Sequence, residues 1–311
     1  MAKQFVTVAR ESLLQALRQH VSGDDAEFAL WDLESPAPRQ QIDIVVPPYM
    51  GDGSVIANLK GLDVGLIQWQ SIGYDSLKQY VPKGIPVANA ASVHETSTAE
   101  LAIGLAIAAQ RGLAQFVRNQ DAHNWAPKFY PSLADSRVTL LGYGGVGKAV
   151  AVRLAGFETQ LNRVASVART EMYSDSEVLV HGVAELPTLL PQTDILIITV
   201  PLTEQTRGLI NAEMLSHLPD GALVVNVARG AVVDTDALTA EVSSGRLRAA
   251  LDVVDPEPLP ADHPLWSLPG VLITPHVGGD SSAMQPRIVR LIRRQIERRL
   301  AGEPPLNLVQ L

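Results

Sequence analysis

The segment Val138-Thr-Leu-Leu-Gly142-Tyr-Gly144-Gly-Val-Gly147 constrains this chain more than any other. A short, mostly apolar run enters Gly-x-Gly-x-x-Gly, and a helix-like amphipathic stretch over residues 146–154 follows at once. Strand, glycine turn and helix in that order make the first half of a βαβ unit shaped for a dinucleotide pyrophosphate. Gly142 makes the tight turn, Gly144 lets the backbone approach the phosphates, and Gly147 lets helix and strand pack closely. The helix start adds unpaired N–H groups and the positive end of its dipole. Lys148 follows Gly147 without the spacing or the Ser/Thr of a Walker A loop.

Other apolar runs share this rhythm. Residues 42–46, 65–68, 138–141, 195–200, 222–226 and 272–274 are predicted as buried parallel strands, with amphipathic stretches such as 146–154 and 211–218 between them. Alternating elements of this kind specify a doubly wound α/β architecture. The glycine loop lies unusually late, behind about 90 residues of another α/β unit. The sequence therefore predicts a nucleotide-binding domain, 96–276, inserted into a discontinuous outer domain, 1–95 plus 277–311. Residues 98–119 are predicted as one long helix, apolar on nearly every face (Ala99, Ile103, Ala106, Ile107). Such a helix is buried by another domain or a second subunit.

The 311 residues suffice for two domains with sizeable cores. A net charge of −8 speaks against nucleic acid as a partner. Arginines do cluster over 287–299, but alternate with Ile288, Val289, Leu291, Ile292 and Ile296, as on an amphipathic helix with a solvated basic face. Without cysteine there are no disulfides, thiolate metal sites or Cys nucleophile. His94-Glu95 does not continue into H-E-x-x-H, no other metal-ligand spacing occurs, and no G-x-S-x-G elbow points to a serine hydrolase. The remaining histidines, His20, His123, His181, His217 and His263, are expected at the surface. The longest apolar run, 101–109, is too short to span a bilayer. A cytoplasmic protein with no membrane association and no bound metal is the expectation.

The end of the strand after the glycine loop separates NAD from NADP: a carboxylate there binds the ribose 2′-hydroxyl, whereas cations and hydroxyls suit a 2′-phosphate. The chain reads Arg163-Val-Ala-Ser166-Val-Ala-Arg169-Thr170, and the strand can end at Val164 or at Ala168. Either alignment leaves no acid at the deciding position and brings Ser166 or Arg169 close to it. The first acid beyond, Glu171, looks too far along the chain. NADP(H) is the preferred coenzyme on this reading, with NAD possible.

Three polar segments follow apolar strands, where open α/β sheets bind ligands: Asn226-Val-Ala-Arg229-Gly230, Asp252-Val-Val-Asp255-Pro-Glu257-Pro258 and Thr274-Pro-His276-Val-Gly278-Gly279. Singly, Arg229 is a surface charge, Glu257 a loop carboxylate and His276 a histidine beside a proline turn. Together, in this order behind a dinucleotide loop, they resemble the D-isomer-specific 2-hydroxyacid dehydrogenases. The resemblance runs from about Gln68 to the C-terminus. It also takes in Val93-His-Glu-Thr-Ser-Thr-Ala-Glu100, Thr199-Val-Pro-Leu-Thr-Glu-Gln-Thr-Arg-Gly208 and Leu300-Ala-Gly-Glu-Pro-Pro-Leu-Asn307, and the first 60 residues match only loosely.

The resemblance implies a Rossmann domain inserted into a flavodoxin-like substrate domain, assembled as a homodimer through the nucleotide domain. It implies that Arg229 binds the substrate carboxylate and polarises its keto oxygen, that His276 is the general acid or base, and that Glu257 is its carboxylate partner. It places Ser71, Ile72 and Gly73 in a loop whose N–H groups hold the substrate carboxylate. Coenzyme contacts fall on Gly142, Tyr143, Gly144, Gly145, Val146, Gly147, Val200, Pro201, Thr206, Ala228, Asp252 and Gly278. The implied substrate is a small 2-keto acid reduced to the D-2-hydroxy acid, of the glyoxylate/hydroxypyruvate type. Glu257 speaks against the formate-oxidising branch, which has glutamine there, and no lysine stands in 68–73 for the phosphite-oxidising branch. Tyr74 replaces a common valine. Trp69, Tyr74 and Trp125 either shape the pocket or simply pack. The competing reading is a dinucleotide-sensing, corepressor-like interaction protein on the same fold.

Overall fold

The computed structural model describes residues 3–51, 53–173 and 176–311. The chain divides into two compact units, Met1–His94 with Ser281–Leu311, and Glu95–Asp280. The sequence reading placed the second crossover at 276/277, but Val277 and Gly278 donate their N–H groups to Asp252 at 2.9 Å and so stay with the nucleotide unit.

The outer unit contributes β1 (Gln4–Val8), β2 (Ala26–Leu30), β3 (Gln41–Ile42), β4 (Ile44–Val46), β5 (Asp63–Val64), β6 (Ile67–Gln68), β7 (Val87–Ala88) and a C-terminal strand, Leu308–Val309. Its main sheet runs C-terminal strand–β7–β6–β4–β1–β2, parallel except where the C-terminal strand pairs β7. The single strand expected over 42–46 is two. Asp43 interrupts it, accepting from the Phe5 N–H at 2.8 Å and from Arg299 at 2.9 Å, and β3 turns away to pair β5. Helix α1 (Glu11–His20) and the C-terminal helix Met284–Leu300 pack on one face of this sheet. The latter buries Ile288, Val289, Leu291, Ile292 and Ile296, the stripe its periodicity marked.

In the nucleotide unit, α2 (Glu95–Gln110) and α3 (Leu113–Asp121) precede β8 (Arg137–Leu141) and α4 (Gly145–Leu154). The strands β9 (Gln160–Ala165), β10 (Arg169–Tyr173), β11 (Ser176–Gly182), β12 (Ile195–Ile198), β13 (Leu223–Asn226), β14 (Arg248–Leu251) and β15 (Val271–Ile273) follow. Their order is β10–β11–β9–β8–β12–β13–β14–β15, all parallel except the β10–β11 edge pair. The chain leaves β8 to opposite sides, so the strand order reverses between β8 and β12, and the glycine loop sits at that switch point. Both sheet faces are covered. Val138, Leu140, Ile195, Ile197 and Val225 face one core, and Leu141, Leu196, Ile198 and Val224 face the other. This explains why these strands read as continuous apolar runs instead of alternating ones.

The helix expected over 98–119 is broken at Gly112, whose φ of +64° is left-handed. Ile103, Ala102 and Ala106 of α2 are buried within the nucleotide unit itself, against α4 and the sheet.

Candidate active site

The carboxyl ends of β13, β14 and β15 bring three functional segments together. After β13, the buried Asn226 shapes the turn: its Oδ1 accepts from the Ala228 N–H at 3.0 Å, and its Nδ2 donates to the Arg229 carbonyl at 3.0 Å. Arg229 is thereby held at the strand end, with one guanidinium nitrogen donating to the Ala228 carbonyl at 2.8 Å. Gly230 is required next, because a Cβ there would run into the Val254 carbonyl.

After β14, Asp252 is buried and its carboxylate organises the turn beyond β15. It accepts from the Thr274 hydroxyl at 2.6 Å and from the Val277 and Gly278 N–H groups, both at 2.9 Å. The His276 N–H bonds the Asp252 carbonyl at 2.8 Å. His276 adopts a φ of +53°, a left-handed conformation that a non-glycine residue holds only where its surroundings impose it.

The imidazole Nδ1 of His276 meets Glu257 Oε1 at 2.6 Å. Both side chains are about a third exposed, at 33% and 37%, so they are reachable from solvent but not freely solvated. The hydrogen bond to Glu257 raises the His276 pKa above its usual 6.5, with burial opposing it. The Glu257 charge adds to the rise and the Arg229 charge works against it, so guanidinium and imidazole feel one another. Since Nδ1 is committed to the carboxylate, Nε2 is the nitrogen left to exchange a proton. A fixed cation beside a carboxylate-supported imidazole can bind an anion and protonate an oxygen on it.

Across the switch point, the loop after β8 suits a pyrophosphate. Gly142 has a φ of +108°, and its carbonyl accepts from the Thr199 hydroxyl at 2.8 Å. A Cβ on Gly147 would run into the Gly142 carbonyl, whereas one on Gly144 would meet nothing within 4 Å. The loop is thus closed where helix meets strand and open on the side from which phosphates approach. Tyr143 is buried, leaving its backbone as the part available to a ligand. Beyond β12, Val200 and Pro201 lead into a turn closed by Thr206, whose hydroxyl donates to the Pro201 carbonyl at 2.6 Å.

A sequence profile of the D-isomer specific 2-hydroxyacid dehydrogenase NAD binding domain matches residues 103–278. The chain is 30% identical to human glyoxylate reductase/hydroxypyruvate reductase over 296 residues, 90% of each chain. It is 34% identical to a glyoxylate reductase of Thermofilum pendens over 255 residues, 78% of this chain and 74% of the relative. A solved D-isomer specific 2-hydroxyacid dehydrogenase from Xanthobacter autotrophicus Py2, in complex with NADPH and MES, superposes with a TM-score of 0.81 at 30% identity, covering 100% of this chain and 98% of that one. The chain belongs to the D-isomer-specific 2-hydroxyacid dehydrogenase family. It is an NAD(P)-dependent oxidoreductase of 2-hydroxy acids.

The residues expected on the coenzyme side fall in two groups. Gly142–Gly147, Val200, Pro201, Ala228, Asp252 and Gly278 lie on loops at the carboxyl ends of β8, β12, β13, β14 and β15. Ser166 and Arg169 lie on the other side of β8. There β9 ends at Ala165, close to the earlier of the two alignments left open, so Ser166 directly follows it and both residues are exposed. Glu171, which the sequence reading placed too far along the chain to act at the strand end, salt-bridges Lys148 in the first turn of α4 at 2.7 Å and Arg169 at 2.6 Å. The strand β10 that carries it is mostly polar and partly exposed, without an apolar run to announce it.

Within the outer unit, the loop at 71–73 has its carbonyls engaged. Ser71 accepts from the Ala90 N–H at 3.0 Å, Ile72 from the Asn89 side chain at 2.8 Å, and Gly73 from the Trp69 indole at 2.9 Å. The three N–H groups of the loop make no hydrogen bond among the described residues. Trp69 is accordingly a buried support for this loop, and Tyr74 packs against the same core. Trp125 does not pack within the chain, being 96% exposed. Among the described residues no helix is long and apolar enough to cross a membrane, and no carboxylate and imidazole groups cluster as a metal site.

Proposed function

We propose that the chain is an NADPH-preferring reductase of small 2-keto acids of the glyoxylate/hydroxypyruvate type, with His276 as general acid. The observation that carries this reading is the 2.6 Å contact between Glu257 and His276, set beside Arg229 at the carboxyl end of the sheet. Arg229 binds the carboxylate of the keto acid and draws charge onto its carbonyl oxygen, a task matched to a planar, permanently charged donor fork. The N–H groups of Ser71, Ile72 and Gly73 are proposed as further donors to the carboxylate. His276 gives its Nε2 proton to the carbonyl oxygen, and Glu257 steadies the ring before the transfer. Asp252, Ala228 and Gly278 border the nicotinamide, which supplies hydride to the carbonyl carbon when bound. Gly142–Gly147 hold the pyrophosphate, while Tyr143, Val200, Pro201 and Thr206 line the coenzyme's path through backbone and side-chain contacts.

The NADPH preference rests on Ser166 and Arg169 after β9, with no carboxylate at the strand end itself. Support also comes from the names of relatives: a human glyoxylate reductase/hydroxypyruvate reductase, and a solved family member holding NADPH. We further propose a homodimer through the nucleotide unit.

The deciding experiment follows loss of reduced-nicotinamide absorbance with purified protein. NADPH and NADH are tried separately against glyoxylate, hydroxypyruvate, pyruvate and a bulkier 2-keto acid. Turnover is expected with NADPH and a small acid. Turnover only on the bulkier acid would reject the substrate class. Coenzyme binding without turnover on any acid would favour a sensing protein over an enzyme.

A further inference from the structure

One carboxylate bridges two cations, Lys148 at the start of α4 and Arg169 on β10. Glu171 holds Arg169 through Oε1 at 2.6 Å and Lys148 through Oε2 at 2.7 Å, so both of its oxygens are engaged. Lys148 follows the last glycine of the pyrophosphate loop, and Arg169 stands three residues beyond Ser166, which follows β9. The bridge therefore joins the two elements between which a Rossmann domain receives the 2′ position of the adenosine ribose. Its partners are half-exposed, at 51% for Lys148 and 37% for Arg169, and such ion pairs add little to stability. A third cation, Arg163, lies with its guanidinium 5.8 Å from the Tyr143 ring, against which Lys148 also rests at 5.5 Å.

Resting on the coenzyme reading above, we propose that Glu171 sets how strongly the enzyme prefers NADPH to NADH. A 2′-phosphate carries nearly two negative charges, as phosphate monoesters do at neutral pH. To reach Arg169 and Lys148 it must compete with a carboxylate already bound to both and be repelled by it. A 2′-hydroxyl suffers no such repulsion. Glu171 thus leaves the site cationic, since two positive charges face one negative, while weakening its hold on the phosphate. The residue moderates the preference instead of creating it, and the site remains open to both coenzymes.

The test measures Kd for NADPH and NADH by quenching of protein fluorescence in the wild type and in Glu171→Gln, Arg169→Met and the double variant. Glu171→Gln should tighten NADPH about tenfold, the effect Coulomb's law gives in water for a dianion about 6 Å from a single charge. NADH should move less than about threefold, because it lacks that charge. The NADPH gain should shrink as salt is added and be smaller in the double variant, where one of the two released cations is missing while Lys148 and the loss of repulsion remain. Arg169→Met alone should weaken NADPH and keep the measurement informative if Glu171→Gln folds poorly. An unchanged NADPH-to-NADH ratio in Glu171→Gln would overturn the proposal. So would selective weakening of NADH, which would make Glu171 a ligand of the ribose hydroxyl. Failure of the wild type to bind either coenzyme would instead overturn the coenzyme reading, and this proposal with it.

Discussion

His276 combines an unfavourable backbone with a favourable partner. Its left-handed φ of +53° costs about 1–3 kcal/mol for such a residue, and the surrounding turn sustains it through three donors to the Asp252 carboxylate. That strain aims the ring at Glu257, and the resulting hydrogen bond keeps the imidazole protonated to higher pH than a free histidine. Replacing His276 by Ala should lower kcat for keto-acid reduction roughly 10²–10⁴-fold while leaving coenzyme Kd nearly unchanged. Full activity in that variant would remove His276 from the mechanism. With His276 as the proposed general acid, reduction uses the imidazolium, so kcat/KM should fall as pH rises through the raised pKa. Glu257→Gln withdraws the main cause of the rise, and the descending limb should move to lower pH, read from a pH–rate profile. The same pair contributes stability that is complete below the unfolded histidine's 6.5 and lost as pH climbs through the folded value. Glu257→Gln should therefore flatten the dependence of Tm on pH above 6.5 as well.

At the scale of elements, the glycine loop shows how much a local pattern can say. Apolar β8, the three glycines and the start of α4 were legible because each spacing follows from one steric demand. A methyl group on Gly147 would meet the Gly142 carbonyl, so Gly147→Ala must push α4 away from the strand. Coenzyme Kd should rise at least about tenfold, with Tm falling by several degrees, as expected when a close backbone approach is lost. Wild-type affinity would show that the helix start does not hold the pyrophosphate. Elsewhere the pattern was silent or misleading for physical reasons. Gly112 breaks the helix after an unbroken apolar periodicity, because its φ of +64° is a backbone choice and not a hydrophobic one. Asp43 splits a continuous apolar run by drawing a backbone N–H and Arg299 to its carboxylate. Asp252 was legible as the polar residue that ends an apolar strand, but its clamp on the 274–278 turn depends on where a buried carboxylate points. The Glu171 bridge to Lys148 and Arg169 was not legible, because distance along the chain says nothing about a strand that pairs back along the sheet edge.

For the whole molecule, the helix expected to be buried by another domain or a second subunit packs largely into its own unit, and exposed apolar side chains follow it. Ile103 is buried within its own unit, yet Leu113, Phe116 and Val117 of α3 remain exposed. The segment after α3 bears Trp125 at 96% exposed and Phe129 at 102%. Large aromatic side chains left wholly in water on one stretch of a folded unit mark an interaction surface. A second copy of the chain is the proposed occupant, since a homodimer through the nucleotide unit needs apolar surface there and these exposed side chains supply it. Light scattering should then give twice the chain mass at micromolar concentration. Trp125 and Phe129 behave as anchors on this account, each worth about 2 kcal/mol on truncation. Replacing both by Ser should weaken association by roughly 10²–10³-fold, seen in sedimentation as a shift from dimer to monomer with dilution. Because neither residue supports the core of its own unit, Tm of the isolated monomer should change little. A wild-type chain that sediments as a monomer at every concentration would leave α3 and the aromatic segment without this partner.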